Sequence, residues 1–283
     1  MTCPVILTCA TTDSGGGAGI QADLKTITSL GGYGASVVVA LTAQNGATVT
    51  GIHALPPEFA TLQYATVLQG FPVRAAKTGM LYSADLIRAM ADCLADKTFP
   101  LVVDPVSVSQ SGCQLLRDDA VDILVQRILP LADLLTPNRP EAEMLAGMSI
   151  HSQADVKKAA QRLLTMGAKA VLIKGGHFEE GGGFFEEEGH MMTDWLASPG
   201  TFQPLTHERI ETGNNHGTGC TLSAAIATFL GFGEPLERAV RKAQQYLTAA
   251  LRTSFCPGIG AGAPNFLEGA RPFSTQKNPR PHS

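Results

Sequence analysis

Apolar runs recur along this chain with amphipathic stretches between them, and that alternation restricts the fold more than any single motif. The runs are VILTCA, ASVVVALTAQ, AAKTGML, PLVVDPV, LADLLTPN and KAVLIKGGH. Helical periodicity fills the gaps, over about 18–30, 57–69, 84–95 and 118–128, and resumes at Arg139. Strands that are apolar on both faces and joined by helices make a parallel sheet covered on each side, because every crossover lays a helix over it. The expectation is an α/β protein, a three-layer α/β/α sandwich with a mostly parallel central sheet. In open sheets of this kind ligands collect beyond the carboxyl ends of the strands. DSGGGAG, Gln44, the stretch 77–80, Asp104, TPNRPE and KGGH each follow an apolar run and so fall there.

One core suffices for such a chain: 283 residues, 44% hydrophobic and 16% charged, with no internal repeat. A single domain is expected over 1–269. The remainder, 270–283, is poor in apolar residues and rich in proline, and reads as a disordered tail. After KGGH the stretch FEEGGGFFEEEGHMMTDWLAS reads as an exposed acidic excursion between edge strands, a solvated loop. A net charge of -4 with scattered lysines and arginines leaves no footprint for nucleic acid or an anionic membrane. No apolar run approaches the roughly 20 residues needed to cross a bilayer. PVILTCA lacks a basic flank and a cleavage pattern, so it reads as a first strand and not as a signal peptide. The cysteines form no CxxC pair, which fits reduced thiols in a cytoplasm and small molecules as partners.

Chemistry concentrates in a few segments. In His216-Gly217-Thr218-Gly219-Cys220-Thr221 the glycines allow a tight turn into the small-residue helix LSAAIATFL. The first amides of a helix converge where its dipole is positive, so the turn can hold an anion. The same field lowers a thiol's pKa, which is the expectation for Cys220. By themselves these residues read equally as a strand-to-helix connection carrying a small hydrophobe. DSGGGAG lacks the GK[ST] of a Walker A loop and does not match GxGxxG, and its use is to bring backbone close to a flat ligand. Asp23, just beyond it, reads alone as a surface or capping aspartate. Asn138 and Glu141 fit the capping of a helix with proline in its first turn, and fit equally a hydrated Mg²⁺ bridging phosphates. Asp104 after four apolar residues calls for a partner. Lys174, leaving an apolar strand into Gly-Gly, suits a phosphate or a neighbouring acid.

Taken in order, SGGGAGIQADLKT, LTAQN, KTGML, VVDPV, LTPNRPEAE, VLIKGGH and HGTGCTLSAAIA resemble the hydroxymethylpyrimidine and phosphomethylpyrimidine kinase family of thiamine biosynthesis, within the ribokinase-like superfamily. The resemblance runs from about Val5 to Phe266. It implies an ATP- and Mg²⁺-dependent kinase acting on 4-amino-5-hydroxymethyl-2-methylpyrimidine and then on its monophosphate. It implies a substrate site from Gly17, Asp23, Gln44 and Met80, with the Gln44 amide matching the aminopyrimidine edge and Met80 forming an apolar wall. Asn138, Lys174, Thr218 and Gly219 would bind the nucleotide, and Asp104 and Glu141 the Mg²⁺. Lys174 and the 217–220 amides would hold the transferred phosphate, with Cys220 as the base where most of the superfamily carries aspartate. A homodimer is also implied. Three positions depart from the family's usual pattern: Thr11, Ser107 and Phe266. A pyridoxal or pyridoxine kinase is the alternative enzyme, and a vitamin-precursor binding protein without turnover the alternative of another class.

Overall fold

The computed structural model describes residues 3–106, 118–175 and 191–274. Among these, a 9-stranded sheet runs in the order β3-β2-β1-β4-β5-β6-β7-β8-β9. The strands are β1 (Val5–Thr11), β2 (Tyr33–Gln44), β3 (Val49–Ala54), β4 (Val73–Thr78), β5 (Leu101–Val103), β6 (Leu134–Leu135), β7 (Val171–Ile173), β8 (Met191–Ser198) and β9 (Thr201–Glu208). From β2 through β7 all neighbours are parallel, and antiparallel strands close both edges: β3 on one, β8 and β9 on the other. The three-layer expectation holds. β3 is an addition that the alternation did not reveal, since VTGIHA is half exposed at an edge and has no continuous apolar run.

The helices are α1 (Gly19–Ser29), α2 (Pro57–Gly70), α3 (Ala84–Leu94), α4 (Asp118–Ile123), α5 (Arg139–Ala146), α6 (Gln153–Thr165), α7 (Thr218–Gly231), α8 (Leu236–Arg252), α9 (Phe266–Gly269) and α10 (Arg271–Ser274). Strand alternation divides the core. Leu7, Cys9, Val103 and Ile173 face α2, α3, α5 and α6, while Ile6, Val102 and Leu172 face α1, α7 and α8. Because the α1 and α2 crossovers lie on opposite faces, the strand order reverses beside β1, and a crevice opens beyond its carboxyl end.

Three expectations change. MMTDWLAS is not part of a solvated excursion. It is β8, with Asp194 and Trp195 buried, because its apolar face continues the sheet past β7. The rest of that excursion, 176–190, lies outside the described residues. The helix expected over 118–128 is α4 followed by a π-helical turn at Leu124–Ile128. The segment from Ala270 opens as α10, where Phe273 lies against Phe229 with ring centroids 5.2 Å apart, and 275–283 lie outside the described residues.

Candidate active site

Two glycine-rich segments that are far apart in the chain meet beyond the end of β1. The carboxylate of Asp13 organises the first: Oδ1 accepts from the Gly15 amide at 2.8 Å, and Oδ2 from those of Gly17 at 3.0 Å and Ala18 at 2.8 Å. The ring Nε2 of His216 lies 2.8 Å from the same Oδ2. Burial would raise the Asp13 pKa, but His216 and the amides outweigh it and hold the carboxyl below its ordinary range. The second segment turns into α7 at Gly217, whose φ of 81° lies in the left-handed region. A Cβ there would overlap the Gly17 carbonyl, and one on Gly17 would overlap the His216 ring. Both glycines are required by this contact.

On the other side of α7's first turn stands Lys174. It follows β7, is bridged to Asn138 after β6, and its Nζ lies 3.4 Å from Asp104 Oδ1 after β5. Asp104 Oδ2 accepts from the Ser223 hydroxyl at 3.1 Å. A Cβ on Gly219 would sit 3.5 Å from Lys174 Nζ and 3.7 Å from Asp104 Oδ2, so lysine and aspartate both face the α7 N-terminus. Asn138 and Glu141 form a reciprocal capping box on α5. Glu141 is nonetheless buried beside Lys174. Burial works against the Lys174 ammonium, yet Asp104 and then Glu141 outweigh it and hold its pKa above the usual lysine value. Among the described residues no three His, Cys, Asp or Glu side chains converge on a metal position. Asp104 and Glu141 are the carboxylates that a cation could use, and they suit Mg²⁺, which takes one or two carboxylates and draws its other ligands from water and phosphate.

Asp23 is a correction. It is neither a surface residue nor a cap but 0% exposed, with Lys77 Nζ at 2.8 and 2.9 Å and the Thr8 hydroxyl donating at 2.6 Å. The resemblance assigns it to the substrate site, but its carboxylate is taken up by Lys77 and Thr8 in the interior. Burial pushes Lys77 down, but Asp23, then Cys220 and Asp104, outweigh it and raise its pKa. The Gly19 amide acts on Cys220 in the direction that favours its thiolate. Its expected low pKa is not found: burial pushes the thiol up to about 11, with Asp23 and Asp104 adding to the rise and Lys77 and the Gly19 amide opposing it. Desolvation of this partly buried thiol outweighs the helix-end field.

Gln44, at the end of β2, is tied to the glycine loop through Ser14, whose hydroxyl donates to the Gln44 carbonyl at 2.7 Å. The Met80 carbonyl accepts from the Thr11 amide and hydroxyl, each at 3.1 Å, so the departure at Thr11 is absorbed by a hydrogen bond. Phe266 sits under Lys25, 5.4 Å from Nζ to the ring centroid, and Ser107 lies outside the described residues. The structure also brings in Asp13, Lys77, His216 and Asp194, which carried no assigned role. Asp194 is buried on β8, where it accepts from the Gly175 amide at 2.8 Å and from Gln244 at 2.7 Å, with the His207 ring at 3.1 Å. His207 and Gln244 also line a cavity of about 440 Å³ between β9 and α8. For Asp13, Lys77 and Asp194 the signal available was the one that flagged Asp104, a charge inside or just after an apolar run.

An ammonium and carboxylates gathered around a helix N-terminus, at the carboxyl edge of a doubly wound sheet, define an α/β phosphotransferase. The chain belongs to the phosphomethylpyrimidine kinase family, whose model matches residues 13–265. It is 44% identical to the hydroxymethylpyrimidine/phosphomethylpyrimidine kinase of Haemophilus influenzae over 92% of this chain and 95% of that protein. It is 46% identical to the thiamine biosynthesis bifunctional protein ThiED of Geobacter sulfurreducens over 93% of this chain, but spans only 52% of that longer protein. The pyridoxal kinase of Staphylococcus aureus, solved with AMP-PCP and pyridoxal, superposes with a TM-score of 0.82 at 29% identity, covering 94% of this chain and 95% of that one.

Proposed function

We propose that this kinase phosphorylates 4-amino-5-hydroxymethyl-2-methylpyrimidine and then its monophosphate, with ATP as donor. The observation that carries the reading is the meeting of Lys174, Asp104, Gly219 and Cys220 at the start of α7, opposite a glycine loop flanked by Gln44 and Met80. The pyrimidine lies against Gly17, Gln44 and Met80, with Asp23 acting from behind through Lys77. The triphosphate lies along Asn138, Lys174, Thr218 and Gly219. Lys174 neutralises charge on the transferred group, and the first amides of α7, oriented in advance, do the same at no reorganisation cost. Bound Mg²⁺, held by Asp104 and Glu141, would supply further neutralisation of phosphate charge.

In the first transfer the hydroxymethyl oxygen forms a bond to the γ-phosphorus, the bond from phosphorus to the β–γ bridging oxygen breaks, and the hydroxyl proton passes to the thiolate form of Cys220, which becomes the neutral thiol. A thiol with a pKa of about 11 is ionised to about one part in ten thousand at pH 7, so positioning and electrostatics carry most of the acceleration, as a loose phosphoryl transition state allows. In the second transfer the acceptor is an anionic phosphate oxygen and needs no base. An ADP-release assay with product analysis tests this: the diphosphorylated pyrimidine should accumulate after the monophosphate. The likeness to a pyridoxal kinase structure favours pyridoxal as a second substrate. A higher kcat/KM for pyridoxal than for the pyrimidine would reverse the assignment.

No helix among the described residues is long and apolar enough to cross a membrane; the free thiols among the described residues support a reducing, cytoplasmic setting. The edge strands β3 and β9 leave ladder groups for another copy of the chain, which supports a homodimer. Light scattering on the purified protein tests the latter.

A further inference from the structure

We propose that Asp13 and His216 form a latch that sets the glycine loop against the α7 N-terminus and are positioning residues for the transfer. The proposal rests on the phosphotransfer reading of this site. Three of the groups bonded to the Asp13 carboxylate, the amides of Gly15, Gly17 and Ala18, belong to its own loop. His216 comes from 203 residues away and is the link to the other half of the site. The histidine is anchored from behind, since its amide donates to the Gly262 carbonyl at 3.0 Å. Its ring covers Gly17, and the next residue, Gly217, meets the Gly17 carbonyl.

The consequence falls on the reacting groups. Gly19 follows the latched residues directly and its amide favours the thiolate of Cys220, while Gly219 faces Lys174 and Asp104. The distance between the acceptor side and the phosphate side is therefore set where Asp13 meets His216. An apolar contact at this point would let the two backbones slide. A directional bond to a carboxylate already fixed by its own loop does not. A shift of about 1 Å in such a register can cost about 100-fold in rate.

The test uses the full-length protein, MgATP and the hydroxymethylpyrimidine. His216→Ala should lower kcat about 10- to 100-fold while KM for MgATP stays within about twofold. The amides of Gly15, Gly17 and Ala18 should then exchange hydrogen faster. His216→Gln, whose side-chain amide can donate to Asp13, should recover most of the loss. Asp13→Asn combined with His216→Ala should be no worse than the more damaging single change. An unchanged kcat in His216→Ala, a glutamine variant no better than alanine, or losses that multiply in the double variant would each overturn the latch. If the wild-type protein releases no ADP in response to the pyrimidine, the functional reading fails, and the exchange rates in His216→Ala still decide the latch.

Discussion

Two lysine–aspartate pairs stand in this site, and they are built to opposite standards. Lys77 is 1% exposed and bonds both oxygens of Asp23 at 2.8 and 2.9 Å. Lys174 is 14% exposed in its side chain and reaches one oxygen of Asp104 at 3.4 Å. A tight, sealed pair has its Coulomb gain and desolvation cost settled within the fold. A long, partly wet pair is one that an arriving phosphate can divide. On the proposed reading, the difference gives Lys77 a part in the architecture beneath Cys220 and leaves Lys174 for the phosphoryl group.

Removing each cation in turn separates the two roles. Lys77→Ala leaves the Asp23 carboxylate buried without its counter-ion and should cost about 3–5 kcal/mol of stability. Replacing both partners, as Lys77→Met with Asp23→Leu, should recover much of that. Denaturant midpoints measure both, and a Lys77→Ala midpoint equal to wild type would remove the distinction. Lys174→Ala should do the reverse, with kcat falling about 100- to 1,000-fold while the midpoint moves little. A large loss of stability with intact turnover would exchange the two roles.

Cys220 lies between the pairs. Cys220→Ala should lower the first phosphorylation about 100-fold and the second much less, because only the alcohol must lose a proton. Single-turnover assays on alcohol and monophosphate distinguish these steps, and equal losses in both would exclude a base role. The smallest effect concerns a third pair, at the sheet edge, whose partner titrates. Burial works against the charged form of both His207 and Asp194, but their mutual bond prevails, raising the histidine and lowering the aspartate. The histidine's contribution is therefore complete below its unfolded value of about 6.5 and is lost as pH rises through the raised folded one. The aspartate's is complete above its unfolded value of about 3.9 and is lost as pH falls through the lowered one. The Tm difference between wild type and His207→Gln should thus be greatest near pH 5 to 6 and narrow at higher pH. A difference that stays constant from pH 5 to 8 would show that the pair is not charged.

Much of this was legible in advance. The strands between β1 and β7 were readable because both of their faces are buried, which leaves long apolar runs. β3 was missed because an edge strand exposes one side, and β8 was absorbed into the acidic stretch before it. Gly17, Gln44, Met80, Asp104, Asn138, Glu141 and Lys174 could be placed at the ligand edge in advance because their segments follow apolar runs, and the 217–220 turn stood out by its glycines ahead of a helix; their roles came with the family resemblance. Asp13 and His216 were inside recognised motifs but carried no role, since nothing in either motif states that the other lies across from it.

The sequence alone therefore determined the alternation of strand and helix, the edge where chemistry gathers, and the family. Those follow from local periodicity and from order along the chain, which the residues carry wherever they are placed. Tertiary structure decided which lysine is locked and which is available, that Asp23 is sealed in the interior against Lys77, and that the Cys220 thiol is pushed up and not down. Each of these depends on how far a charge lies from its partner and how much water remains around it, and those quantities come into existence only when distant segments pack.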